Sequence, residues 1–238
     1  MAQVINTNVA ALFAGAALNK SAIALQTAQQ RLSSGLRINS AHDDPTGLGI
    51  ATTYDSQVRG TNIAIRGAND AISTAQTNDG YAAQVVANEQ RLYEIAVQLG
   101  GTATGAETTA LLAENARIAA LTTAATAHVI DGTGTLKTGV SAVLAVPTGV
   151  TIANITSDLT AANTSRANYG ADIATFSSAV SVMQNTSVNL SAAYSRIMDT
   201  DYAAETTAMT RNNILQQAGT AVLAQANQTP QTVLTLLR

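Results

Sequence analysis

One helical period governs the C-terminal half of the chain. Stepping alternately by three and four residues from Leu159 reaches Ala162, Arg166, Tyr169, Ile173, Phe176, Val180, Met183, Ser187, Leu190, Tyr194, Ile197, Asp201, Ala204, Ala208, Arg211, Leu215, Ala218 and Val222 with no slip of frame. About 15 of these 19 positions are apolar, against about 9 expected from a 46% hydrophobic composition. A 3.5-residue repeat held this long predicts a left-handed coiled-coil seam. A break is expected near Asp199-Thr200-Asp201, where a polar step falls in the seam.

The N-terminal half carries the same pattern. From Ile50 the stepping gives Tyr54, Gln57, Thr61, Ala64, Ala68, Ala71, Ala75, Asn78, Ala82, Val85, Glu89, Leu92, Ala96 and Leu99. This seam is rich in alanine, so its partner helix must come close. Gly80 weakens the helix, and Gly100-Gly101 is expected to end it. A third helix is expected from about Glu107 to Thr126, with Leu111, Glu114, Ile118, Leu121 and Ala125 in register. An earlier helix covers about Asn6 to Ser33. It puts Leu18, Ala22, Leu25, Leu32 and Leu36 on one face, with Ile5, Val9, Leu12 and Ile23 beside it.

Residues 129–156 change character. Val140 to Val146 and Val150 to Ile152 are β-branched and flanked by Gly and Pro, which predicts a short β-hairpin and connector. The expected fold is therefore mainly α: a long antiparallel coiled-coil helical bundle formed by both chain ends, with a small β-hairpin region in the middle. The expected divisions are an N-terminal arm of an inner terminal-helix domain at 1–43, a helical rod domain at 44–197 with its hairpin tip at about 128–157, and a C-terminal arm at 198–238.

Composition narrows the function. Charged residues are 11% of the chain, less than half the usual quarter. There are two Phe and no Trp, too few large side chains for a thick core. Thin helical layers with small residues at close contacts fit better, and so uncharged a surface suits one covered by partners. The net charge of −3, with scattered basic residues, lacks the footprint of a nucleic-acid binder. No apolar run is expected to reach the ~18–20 residues of a membrane span. The first eight residues lack a cationic stretch leading into an apolar one, so no cleaved signal is expected. The absence of cysteine fits the cytoplasm, or an export route that makes no use of disulfides.

Catalytic patterns are missing. His42 and His128 belong to no metal-ligand spacing. Asp43-Asp44 precede Pro45 and a Gly-rich turn, which reads as a loop and a helix N-cap. Gly47-Leu48-Gly49 lacks the strand and third glycine of a dinucleotide loop. The expectation is no enzyme, no cofactor and no metal.

Both ends resemble bacterial flagellin, the subunit of the flagellar filament. Met1 to Asn8 looks like the family's N-terminus, and Gln30 to Ala41 (QRLSSGLRINSA) matches its most recognisable stretch nearly letter for letter. Asp43-Asp44 follow as in the family, although His42 stands where Lys is common and Pro45-Thr46 where two small residues are usual. Gln90 to Gln98 is similar to the next motif. Ser195 to Ala203, Ile214 to Asn227 and Val233 to Arg238 match at the other end. Flagellins commonly carry outer variable domains between these ends; this sequence resembles a minimal form without them.

The resemblance implies a structural subunit that polymerises into the bacterial flagellar filament for swimming motility. It implies secretion through the flagellum's own export apparatus to an extracellular flagellum. The partners implied are copies of itself in a helical homopolymer, an export chaperone on the C-terminal helix, and the filament cap and hook-junction proteins. Neither nucleic acid nor membrane is among them. The polymer core would use Ile5, Val9, Leu12, Leu18, Leu25, Leu32, Leu215, Ala218, Val222 and Leu236. A vertebrate innate immune receptor reads the family's Gln90-to-Gln98 motif; Arg91, Leu92 and Glu94 match it, and Glu114 falls at a second contact. The plainer reading of Arg91 and Glu94 is a salt bridge. Two other readings share the helical pattern: a hook–filament junction protein, and a secreted coiled-coil binding module. The terminal stretches 1–40 and 200–238 have few large apolar groups, so they are expected to become helical only on assembly.

Overall fold

The computed structural model describes residues 7–122, 128–130, 136–138, 144–145, 147 and 149–235. Its helices are α1 (Val9–Ser34), α2 (Pro45–Gln98), α3 (Ala106–Leu121), α4 (Ile152–Met198) and α5 (Tyr202–Thr235). They group into two units, residues 1–55 with 192–238 and residues 56–191. That division passes through α2 and α4.

In the first unit α1 pairs with α5. Asn8 caps α1: its Oδ1 accepts the Ala11 N–H at 3.0 Å, and its Nδ2 donates to the Ala226 carbonyl at 2.8 Å. One side chain thus satisfies an orphan helix donor and ties the two helices together. The helix stops at Gly35, whose φ of +72° gives its N–H to the Arg31 carbonyl. The following strand-like step pairs Leu36 with Asp199, with Arg37 N–H to Met198 O at 2.6 Å and Thr200 N–H to Gly35 O at 2.9 Å.

Asp43 and Asp44 take up the loop and cap roles their positions predict. Asp43 Oδ2 accepts from the Asn39 and Ser40 amides and the Ser40 hydroxyl. Those bonds, the Asn39 amide first, hold its pKa below the usual carboxylate value. Asp44 Oδ1 accepts the Gly47 N–H at 2.8 Å and caps α2, with Pro45 in the first helical position. Behind this loop Ile38, Ala51 and Met198 form a small buried cluster.

The second unit packs the alanine seam of α2 against α4. Tyr169, Phe176 and Met183 recur every seven residues, and all are buried. Facing them are Ala64, Ala68, Ala71, Ala75 and Ala82. Large side chains on one helix fill the space left by small ones on the other. The Arg166–Asp79 ion pair at 2.9 Å and the Ser187–Asn62 hydrogen bond at 3.3 Å set the two segments antiparallel. Gly80 does not interrupt α2. After α2, Gly100 (φ +79°) and Gly101 (φ +123°) turn the chain.

Three expectations are corrected. First, Val150 to Ile152 is not a hairpin strand. Thr151 makes an isolated bridge to Thr102, and Ile152 opens α4, so that helix starts before the expected tip ends at 157. Ile152 packs with Ile155, Leu92 and Ala103, and that burial favours helix. His128–Ile130 pairs antiparallel with Leu136–Thr138 instead; most of the expected strand at 140–146 lies outside the described residues. Second, α3 ends at Leu121, and its packed face carries Thr108, Asn115, Ile118 and Ala119. Glu114 is on its solvent side, and Leu121 is exposed. Third, α1 is long and apolar enough to cross a membrane by length and composition, with an 18-residue window of mean hydropathy 1.3. Little of that window is buried within the chain, because α5 covers only one face of it.

Candidate functional site

The α1·α5 pair joins along one narrow line. On α1 the residues turned toward α5 follow Ala11, Ala14, Leu18, Leu25, Ala28 and Leu32, all buried or half-buried. On α5 they follow Glu205, Met209, Asn212, Gln216, Gly219, Leu223 and Ala226. This frame also steps by three and four, yet it is displaced by one residue from the continuous frame read in the sequence. Of that sequence frame, Ala204, Arg211, Leu215, Ala218 and Val222 are exposed.

The non-helical link between α4 and α5 accounts for the displacement. Asp199 Oδ2 accepts the Ser195 hydroxyl at 2.6 Å and closes α4. Asp201 Oδ1 accepts the Ala203 and Ala204 amides and opens α5. Breaking the backbone ladder here frees α5 to rotate about its axis. The face it then turns to α1 is the more polar one, with Asn212 and Gln216 in line and Gly219 in close contact with Leu18. Apolar side chains are left outside.

Those side chains are substantial. Val9, Leu12, Phe13 and Ile23 on α1, and Ile214, Leu215 and Val222 on α5, are exposed; Phe13 is 78% so. A groove of about 440 Å³ runs along the pair, and Phe13, Ala17, Leu18, Leu215, Ala218 and Val222 line it. An apolar groove lined in this way marks an interaction site. Among the described residues no group of three or more potential metal ligands exists.

The residues read from the sequence separate accordingly. Leu18, Leu25 and Leu32 lie on the α1·α5 contact line, with Leu25 buried, so they hold the pair together. Val9, Leu12, Leu215, Ala218 and Val222 face outward. Ile5 and Leu236 lie outside the described residues. Sequence reasoning missed Phe13 and Ile214, whose i±1 placement beside Leu12 and Leu215 would have shown them.

The second candidate set does not form one surface. Arg91 reaches Glu94 at 3.0 Å and Glu107 at 2.8 Å, all three exposed. Glu114 pairs with Arg117 at 2.6 Å on α3, and that cation holds the Glu114 pKa down. Leu92 is fully buried among Ile95, Ala96, Ala103 and Ile155, so it is a core residue and not a surface contact.

Residues 5–135 match the family model for the bacterial flagellin N-terminal helical region, and residues 152–237 match that for the bacterial flagellin C-terminal helical region. Across the whole of both chains it is 36% identical to a flagellin of Xenorhabdus nematophila. It is 31% identical to a flagellar filament 33 kDa core protein of Treponema phagedenis, over 99% of this chain and all of that one. Over 41% of this chain and 20% of the relative it is 53% identical to a flagellin of Salmonella rubislaw. The first two alignments span 313 and 285 positions against the 238 residues here, so those relatives carry segments that this chain lacks.

Proposed function

The chain belongs to the bacterial flagellins and is a structural subunit of the flagellar filament on the cell exterior, and from that premise we propose which of its surfaces joins copy to copy. The joining surface is the outward face of the α1·α5 pair. One observation carries this reading: Leu215, Ala218 and Val222 stay exposed along the groove they line with Phe13, Ala17 and Leu18 of α1, while polar Asn212 and Gln216 are half-buried. A monomer gains nothing from that arrangement. A polymer gains the burial of each side chain, about 1.5–3 kcal/mol for a fully covered Leu, Val or Phe.

Folding and assembly of the α1·α5 pair are then one step. The pair buries little beyond Ala14, Leu25, Ala28 and Ala226, too little to offset about 1–2 kcal/mol of backbone entropy per residue. Neighbouring copies supply the remainder.

The same exposed residues require protection before assembly. Ile214, Leu215 and Val222 on α5 suit an export chaperone that covers the C-terminal helix during secretion. The filament cap and hook-junction proteins meet the α1·α5 face as the first and last copies are placed. Arg91 and Glu94 are exposed on α2, which suits recognition by a vertebrate innate immune receptor; Glu114 takes part through its Arg117 pair, and Leu92 through packing only.

The test is seeded assembly of Leu215→Asp. Covering an unpaired carboxylate costs several kcal/mol, so filament growth is expected to stop. Circular dichroism of the variant monomer checks that helix content is kept. Full-length filaments from Leu215→Asp would contradict the reading.

A further inference from the structure

In the second unit, a row of amide side chains ends on a buried carboxylate. Gln84 Nε2 donates to Asn88 Oδ1 at 3.2 Å, and Asn88 Nδ2 donates to Asn115 Oδ1 at 2.7 Å. Asn115 Nδ2 then donates to Glu89 Oε1 at 2.7 Å. Each amide passes a donor to the next, so the row needs a terminal acceptor, and Glu89 is it. Glu89 and Asn115 are fully buried. The second oxygen of the carboxyl, Oε2, is buried with no hydrogen-bond partner among the described residues.

The surroundings disfavour a charge there. Glu89 stands in the apolar frame of α2 between Val85 and Leu92, both fully buried. From α4 the facing ionisable group is Asp158, another acid, whose Oδ2 accepts the Gly149 N–H. From α3 the contact is the neutral Asn115. The charged groups of α3, Glu107, Glu114 and Arg117, are exposed and bonded to Arg91 or to each other. On α2 itself Arg91 is engaged by Glu94 and Glu107.

We propose that Glu89 is a proton-dependent latch that holds α3 on α2 when neutral and loosens it when ionised. In the neutral form Oε1 still accepts from Asn115, so the amide row closes across the α2–α3 contact. In the ionised form Oε2 carries charge with no partner beside Asp158, and water is its only remedy. Water reaches it by displacement of α3, the short helix that covers it. Burial, followed by the Asp158 charge, pushes the Glu89 pKa up to about 7 from an ordinary 4.5. With a folded pKa above the open one, α3 is held fully below pH 4.5. The hold weakens as pH rises from there to about 7 and is constant above.

The experiment is amide hydrogen exchange on the full-length monomer between pH 5.5 and 8.5, expressed as protection corrected for the intrinsic rate. Protection of residues 106–121 is expected to fall roughly tenfold or more across that range in the native chain. In Glu89→Gln, which keeps the acceptor and removes the charge, it is expected to stay flat. A flat profile in the native chain, or an undiminished step in Glu89→Gln, overturns the proposal. Should the variant not fold, the Glu89 carboxyl carbon is titrated by NMR in the native chain. A midpoint between 6 and 8 supports the latch, and one near 4.5 overturns it.

Discussion

Gly219 on α5 lies so close to Leu18 on α1 that a Cβ built on it would stand 3.2 Å from Leu18 Cδ1. The helices meet at a point where one of them has no side chain. The neighbouring Ala218 and Val222 stay exposed beside this contact.

Two effects oppose each other at Gly219. Alanine there gains up to about 1 kcal/mol of helix propensity, while the tip of Leu18 must give by a few tenths of an ångström. Gly219→Ala is expected to change filament melting little. Gly219→Val adds two methyl groups against Leu18 and is expected to lower it, by about 1–3 kcal/mol of overpacking. Calorimetry of filaments compares the two; equal melting for all three forms would show that the pair is loose here.

Gly47 and Gly49 provide a matched pair in α2. A Cβ on Gly47 would overlap the Asp44 carboxylate and stand 2.9 Å from Ile38 Cδ1, whereas one on Gly49 meets nothing within 4 Å. Gly47→Ala therefore removes the helix cap and is expected to destabilise by about 1–2 kcal/mol. Gly49→Ala is expected to stabilise by up to about 1 kcal/mol. Thermal unfolding of the two variants checks both signs.

Arg91 and Leu92 are neighbours with opposite roles. Arg91→Ala breaks two exposed ion pairs, expected to cost at most about 1 kcal/mol. Leu92→Ala opens a cavity in a closed core, expected to cost about 2–5 kcal/mol. If receptor recognition uses the α2 surface, Arg91→Ala lowers signalling in a reporter cell without a change in melting. Leu92→Ala lowers both.

Two of the shifted acids, Asp43 and Glu89, respond to pH in opposite senses. Asp43 is held ionised by the Asn39 and Ser40 amides, so its loop is expected to open as pH falls below the ordinary 3.8. Glu89 is relieved by the same acid. Corrected for intrinsic rates, α3 exchange is expected to slow as pH falls from about 7 to 4.5 and then stay level, while that of the Asn39 and Ser40 amides rises only below 3.8.

Much of this was legible in the sequence because small and large residues recur at fixed spacing. Tyr169, Phe176 and Met183 are buried where the frame from Leu159 puts them, facing the expected alanines of α2. The break at Asp199 to Asp201 was also legible, since two short acids cap and close helices. Its consequence is not: a periodicity carries no information on how far a helix rotates after a non-helical link, so the half-buried line of α5 lies one residue beyond the continuous frame. Glu89 sat openly in the apolar frame of α2. Its partner Asn115 is not legible: the register of Leu111, Glu114, Ile118 and Leu121 finds the buried Ile118 but runs beside Asn115 through Glu114, which bonds the exposed Arg117.

The central claim is that Leu215, Ala218 and Val222 are covered by other copies in the filament. The chain has no cysteine, so a single Ala218→Cys substitution provides a clean and small probe. Maleimide labelling of that variant is measured on monomer and on filament. The expected result is rapid labelling of the monomer and at least about a hundredfold slower labelling of the filament, as for a group that reacts only on local opening. Equal rates in the two states would show that this face stays open to solvent in the polymer, and would contradict the account.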